Sequence, residues 1–388
     1  MPSQDLSCPI CTQSNAKHMH ENRFAPINKF NLSYSIVECE NCGHCYANVI
    51  PPNEIYTGYY ETLSKYDTGA RITPIDQARN QHALYLFKKL QIPKDINILD
   101  VGCGSGSFIA ELHKNGYENV IGLDPAPQAR QQFINQFNLD FVRRGDVSTA
   151  FDEVNPHSIN LICLLAVLEH LPNMRNDFGN MISKILPGTL ILIEVPAAEL
   201  FDGEHGEPFG EFSLEHIQYF TKVSLHNFLK TFGIEAQHTE LISLPSIRSG
   251  ALYCLAQYKG KRENTERDNS GWIDKYIQAS SRKQITALTH VPEEPFIIYG
   301  AGSHTARILA HFTEKQQHHI ISIHDGNPNL QGQVIGRWKI SPPELLKYSN
   351  PYPILVSSFR SQASIGNMLT VNYPQHRLVN IYDANQSS

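Results

Sequence analysis

Apolar and polar positions change rhythm three times along the chain. Up to about Ile50 there are few aliphatic runs among many Cys, Asn and His residues, a pattern that cannot build much core unaided. After Pro51 and Pro52 comes a Tyr-rich stretch, Glu54 to Glu61, and apolar spacing then predicts an amphipathic helix from Pro74 to Leu90. From Asn97 short apolar runs alternate with helical stretches, predicting strands over Ile98 to Val101, Val120 to Leu123, Ile159 to Leu164 and Thr189 to Val195. Near-continuous apolar strands alternating with helices belong to a parallel sheet covered on both faces. A polar stretch from Lys259 to Ser270 breaks the composition, and a linking helix is expected from Trp272 to Thr289. A second alternating series follows, with strands over Phe296 to Tyr299, Ile320 to Ile323 and Ile354 to Ser357.

Length and charge narrow the function classes. The 388 residues exceed one ordinary core, so two or three domains are expected. A hydrophobic fraction of 41% with 18% charged residues suits a soluble enzyme rather than a disordered chain. The formal net charge of -6 comes without a basic stripe, which argues against nucleic acid as a partner. No secretory leader or uninterrupted apolar span is read, so no membrane partner is expected. Five of the eight cysteines crowd between Cys8 and Cys45 in pairs spaced for metal, which suits a reducing, cytoplasmic setting.

Those pairs, Cys8 with Cys11 and Cys39 with Cys42, are C-x2-C knuckles that let four thiolates meet around one structural zinc ion on a ribbon. Cys45 is a spare thiol and His44 a weaker ligand; either substitutes for a member of the set in an alternative reading. Four thiolates leave no open coordination position, so the zinc is structural. Unmetallated thiols are the plain alternative.

The strand at Ile98 to Val101 runs through Asp100 into Gly102, Gly104 and Gly106 and then a helix. Alternating glycines allow a tight turn and close backbone approach to a ligand at a helix N-terminus. Asp124 ends the next strand, where a carboxylate accepts hydrogen bonds from ribose hydroxyls, and Asp146 stands where a third strand end reaches an adenine. A nicotinamide site would want G-x-G-x-x-G, and Gly106 comes one residue too early for it. From Asn97 to Ala256 these motifs resemble the class I S-adenosylmethionine-dependent methyltransferases, and the resemblance implies a Rossmann-like sheet that binds S-adenosylmethionine.

Two Glu-His pairs carry the candidate chemistry. Glu169-His170 follows the fourth strand, where it either shapes the donor pocket or meets substrate. The segment Pro196 to Glu211, with His205, has the composition of a mobile lid. Glu215-His216 precedes a helix starting near Lys222; His216 suits a general base oriented by its neighbouring carboxylate, and the alternative is that the pair packs and caps that helix beside Tyr219 and Phe220.

The order of zinc ribbon, Tyr-rich linker, methyltransferase core, E-H-x-x-Y-F element and small C-terminal α/β unit resembles the sugar C-methyltransferases of deoxysugar biosynthesis. The resemblance implies a nucleotide-linked 4-ketohexose as substrate, His216 removing the proton at C3 with Glu215 beside it, and His170 as a second active-site histidine. Tyr59 or Tyr60 corresponds to the family's linker tyrosine. The family commonly places Tyr-His ahead of the second Glu-His pair, where this chain has Ser213 and Leu214.

The C-terminal unit carries another glycine turn at Gly300 and Gly302, with Asp325 ending the next strand and Thr305 in the third fingerprint position. Ser303, His304 and Arg337 either face a substrate phosphate or base or are solvated. The division expected is 1–73 for ribbon and linker, 74–260 for the methyltransferase, 261–290 for the linking helix and 291–388 for a smaller Rossmann-like α/β domain. The function expected is C-methylation of a nucleotide-linked keto-deoxysugar. The rivals are O- or N-methylation of another small metabolite and a non-catalytic zinc-ribbon binding module.

Overall fold

A computed structural model describes residues 7–28, 30–31, 33–48, 72, 74–243 and 250–382. Tyr59 and Tyr60 lie outside the described residues. Three sheets organise them. The first opens with β1 (Ala16–Asn22), β2 (Tyr34–Cys39) and β3 (Cys45–Asn48), paired antiparallel.

The second comprises β4 (Ile98–Val101), β5 (Val120–Asp124), β6 (Val142–Arg144), β7 (Leu161–Leu165) and β8 (Leu190–Pro196). The chain then makes β9 (Gln218–Tyr219), β10 (Ile234–Ile242) and β11 (Ala251–Tyr258). In the order β10-β11-β8-β7-β4-β5-β6 neighbours run parallel, except that β11 is antiparallel to both β8 and β10. From β4 the chain moves outward through β5 and β6 on one side, and from β7 through β8 on the other. The direction reverses between β4 and β7, and there a crevice opens beyond the C-terminal strand ends.

β9 leaves that sheet and completes the first one, pairing Tyr219 with Cys45 and Gln218 with Tyr46. The third sheet, β14-β15-β13-β12-β16-β17, uses β12 (Phe296–Tyr299), β13 (Ile320–His324), β14 (Val334–Ile335), β15 (Trp338–Ser341), β16 (Ile354–Val356) and β17 (Leu378–Asn380). All its pairings are parallel but β14 with β15.

The apolar runs locate seven of the parallel strands, β4, β5, β7, β8, β12, β13 and β16, to within two residues, because strands buried on both faces are written as continuous apolar stretches. The predicted helices form as Pro74–Lys89 and Trp272–Thr289. Among the strands not foreseen are β6, β15 and β17, each too short to stand out as an apolar run, and β10 and β11; β10 alternates polar and apolar positions and mixes Glu235, Gln237 and Glu240 into its run. The N-terminal segment builds no core of its own. Phe24 and Tyr34 share one with Phe212, Tyr219, Trp272, Tyr276 and, from the third sheet, Ile298 and Ile323. Among the described residues no helix is long and apolar enough to cross a membrane.

Candidate functional site

The glycine turn lies at the β4 end of the crevice. Gly102, Gly104 and Gly106 have φ of 77°, 53° and 72°, left-handed values that penalise any other residue. A Cβ at Gly102 would stand 2.6 Å from Val167, and one at Gly106 2.3 Å from Phe133. The turn opens onto the helix Ser107–Lys114, whose first residue accepts a hydrogen bond of 2.7 Å from Asn80.

Acids gather around that turn. Asp124 accepts hydrogen bonds from the Gly104 amide at 2.8 Å and the Ala126 amide at 2.9 Å, so it first of all shapes the turn, and its oxygens keep lone pairs for further donors. Burial pushes its carboxyl up, and those two amides partly offset this. Asp100 is buried on β4, and burial together with the neighbouring Asp124 pushes its carboxyl up to about 7. Asp146 follows β6; its Oδ1 caps the next turn, accepting from the amides and hydroxyls of Ser148 and Thr149. Burial opposes ionisation there, and these hydrogen bonds hold the carboxyl below its ordinary range. Pro125, Gly145 and Asp146 line a cavity of about 370 Å³ beside the turn.

Beyond β7 the backbone is strained. Ala166 adopts φ 56°, which costs a non-glycine residue about 1–2 kcal/mol, and its amide donates to the Glu194 carbonyl at 3.0 Å. The one-turn helix Leu168–His170 follows. Two bonds tie it to the second Glu-His pair: the His170 Nδ1–H donates to the Glu215 carbonyl at 3.1 Å, and the Ile217 amide donates to the Glu169 carbonyl at 2.8 Å. His216 is bracketed between them, its ring edge-to-face with His170 at 4.8 Å and 76°. Ser213 Oγ accepts from the amides of Glu215 and His216, while Tyr34 and Tyr219 donate to the carbonyls of Ser213 and His216. Tyr219 and Phe220 are core residues, and Thr221 caps the helix Lys222–Thr231 through a capping box with Ser224. The structure thus brings His170, Glu215 and His216 together at the crevice edge that also holds the glycine turn.

Behind His170 lie Glu169, which the sequence motif includes, and Glu194 with Arg79, which no motif marks. Glu169 and Glu194 are fully buried, Glu169 Oε1 is 3.7 Å from His170 Nε2, and Arg79 Nε is 3.4 Å from Glu194 Oε1. None of the four carboxyl oxygens has a hydrogen-bond partner among the described residues. Burial and the proximity of Glu194 push the Glu169 carboxyl up, and burial also pushes Glu194 up. A signal was available in Glu194, the lone charge within the otherwise apolar run of β8.

At the far side the four paired cysteines converge. Cys8, Cys11, Cys39 and Cys42 place their sulfurs within 4.8 Å of one another, with Sγ separations of 3.6 Å for Cys8 to Cys42 and 3.5 Å for Cys11 to Cys39. These are far beyond a disulfide bond and near the roughly 3.8 Å edge of a tetrahedron with 2.3 Å metal–sulfur bonds. The donor set therefore fits zinc. Cys45 stands outside the set in the neighbouring core, and His44 bonds Gln218 through Nε2 at 3.2 Å.

The C-terminal glycine turn repeats the arrangement of the first, with Asp325 accepting from the Ala301 amide at 2.7 Å. His304 faces no open site: it is buried between Ser357 and Tyr382. Arg337 is exposed and bonds the Gln317 carbonyl. The segment expected as a lid is partly pinned; Arg307 holds Glu207 at 3.0 Å and the Phe212 carbonyl at 2.9 Å, and His205 is exposed beside Asp202.

Residues 76–239 match the family described as a methyltransferase domain. Human EEF1A lysine methyltransferase 2 is 32% identical over 77 residues, 20% of this chain and 32% of that protein. The ubiquinone biosynthesis O-methyltransferase of Vibrio cholerae is 25% identical over 146 residues, 36% of this chain and 58% of that protein. The chain thus spans from about a third to somewhat over half the length of these curated relatives. Among solved structures, the 1,6-didemethyltoxoflavin-N1-methyltransferase of Burkholderia thailandensis superposes with a TM-score of 0.42 at 17% identity, over 57% of this chain and 97% of that one. A likeness this loose bears on neither substrate nor chemistry. Residues 76–239 thus carry a methyltransferase domain.

Proposed function

We propose that this chain methylates a carbon next to a ketone on a nucleotide-linked keto-deoxysugar, with His216 as the base. The observation that carries the reading is the bracketing of His216 by His170 and Glu169, on the same crevice edge as the glycine turn. Asp100, Gly102, Gly104, Gly106, Asp124 and Asp146 would hold S-adenosylmethionine, which supplies an electrophilic methyl group when bound. His216 takes the α-proton, with Glu215 beside it, and leaves an enolate on the substrate; the methyl group the donor would supply would leave its bonding pair on sulfur, and the donor would depart as a neutral thioether. The protein contributes alignment and a dry, polar surround for the enolate. The four cysteines would hold a structural zinc ion, and the N-terminal ribbon, methyltransferase domain, linking helix and C-terminal α/β unit would meet near residues 73, 260 and 290.

The test is to incubate the protein with labelled donor and 4-keto nucleotide-sugars while following exchange of the substrate's α-deuterium. Label on a sugar carbon with washout of deuterium is expected, and His216→Ala should lower transfer by about 10²–10⁴-fold, as loss of a general base does. Transfer to other acceptors alone sinks the sugar reading; full activity in His216→Ala sinks the assigned base. A second reading, O-methylation or N-methylation of another small metabolite, draws on the likeness to the ubiquinone biosynthesis O-methyltransferase and requires no α-proton exchange. A non-catalytic zinc-ribbon module would show no donor binding by calorimetry.

A further inference from the structure

Two carboxyl groups, Glu169 and Glu194, are buried without hydrogen bonds among the described residues, and there the strong cation beside them is Arg79, paired with Glu194. Burying two unpaired negative charges opposite one guanidinium is costly, so the group is balanced when one carboxyl keeps its proton. Geometry decides which. Arg79, on the helix Pro74–Lys89, lies 3.4 Å from Glu194, while Glu169 faces His170. His170 has committed Nδ1–H to the Glu215 carbonyl, because a carbonyl can only accept. In the neutral ring Nε2 is therefore an acceptor, and Glu169 Oε1 lies 3.7 Å from it. An acceptor facing a carboxyl needs a proton on that carboxyl. The gap lies just outside hydrogen-bond range, as such contacts often do before ligand is bound.

We propose that Glu169 is a positioning residue kept as a neutral carboxylic acid, which donates a hydrogen bond to Nε2 of His170 and so locks the imidazole that brackets His216, while Glu194 carries the negative charge opposite Arg79. The direction of the Glu169 shift agrees with this assignment. Among the described residues the charged and titratable groups around the pair are His170 on its own turn, Arg79 and Asp76 on the helix, Tyr253 on β11 opposite Glu194, and Glu215 and His216 on the segment before β9. The effect on catalysis rests on the reading of His216 as the base; the protonation state and the tautomer do not.

The experiment uses the full-length protein and separates the two. Infrared difference spectra across the pH titration should show a protonated carboxylic acid that disappears in Glu169→Gln and persists in Asp76→Asn, and nitrogen NMR should show His170 with its proton on Nδ1. Glu169→Ala should lower kcat by about 10²-fold with little change in donor affinity, the scale of a base displaced by about 1 Å. Glu169→Gln, whose amide can still donate to Nε2, should restore most of that loss and remove the alkaline limb of the pH profile that ionisation of Glu169 creates. A Glu169→Gln variant as impaired as Glu169→Ala overturns the proposal, and so does a proton on His170 Nε2. It is also overturned by a stoichiometric divalent ion beyond the cysteine-bound one, if Glu169→Gln loses it, because Glu169, His170 and His216 would then be its ligands. If the spectra and the tautomer agree but His216→Ala stays active, the proton assignment stands and the base assignment falls.

Discussion

At the scale of single residues, Asp100 and Gly106 make the donor site testable without knowing the acceptor. Asp100 titrates at about 7 against an ordinary 3.8, raised by burial and by Asp124. A raised acid favours the folded state most below its unfolded value, and that contribution is lost as pH climbs from about 3.8 to about 7. Binding a cationic donor works in the opposite direction, because it favours the ionised form. Donor affinity should therefore rise as pH passes through about 7, and titration calorimetry of Asp100→Asn should show that dependence flattened. At Gly106 a Cβ meets the Phe133 ring in a left-handed backbone, so Gly106→Ala should lose about 1–3 kcal/mol by chemical denaturation and weaken donor binding. Unchanged stability would mean that the turn relaxes freely.

At the scale of elements, β9 couples the cysteine cluster to the candidate base. The strand holds two residues, begins two positions after His216, and gains its stability by completing the sheet of β1, β2 and β3. Cys39 ends β2 and Cys45 opens β3 opposite Tyr219, so whatever organises the four cysteines also fixes the register of that segment. Cys39→Ser, or removal of metal by a chelator, should lower transfer while leaving donor binding nearly intact, since the glycine turn belongs to another sheet. Equal loss of both in calorimetry and turnover assays would show instead that the whole chain depends on the cluster.

At the scale of the whole molecule, the C-terminal sheet and the segment before β9 share a core and a buried ion pair. Arg307, only 3% exposed at its side chain, holds Glu207 and the carbonyls of Pro208 and Phe212. Breaking a buried pair from one side leaves the other charge uncompensated, at about 3–5 kcal/mol. Arg307→Met should cost this much in denaturant unfolding and raise KM for acceptor more than for donor. An unaltered acceptor KM would confine the C-terminal unit to a structural part.

What the sequence determined by itself is local: seven of the parallel strands, whose double burial is written as apolar runs, the glycine turn, whose left-handed backbone admits little else, and the cysteine knuckles, whose spacing suits four sulfurs around one centre. Both Glu-His pairs were visible as motifs, but their meeting was not, because His170 and Glu215 stand 45 residues apart and are joined by a side chain reaching a carbonyl. Glu194 and Arg79 belong to no motif, and only folding sets the half-buried guanidinium beside the fully buried carboxyl. The tertiary structure alone decided that β9 belongs to the N-terminal sheet, and that the expected lid is held by Arg307. A two-residue strand and a long-range ion pair leave no periodic trace in a chain, since their energy comes from partners that only the fold supplies.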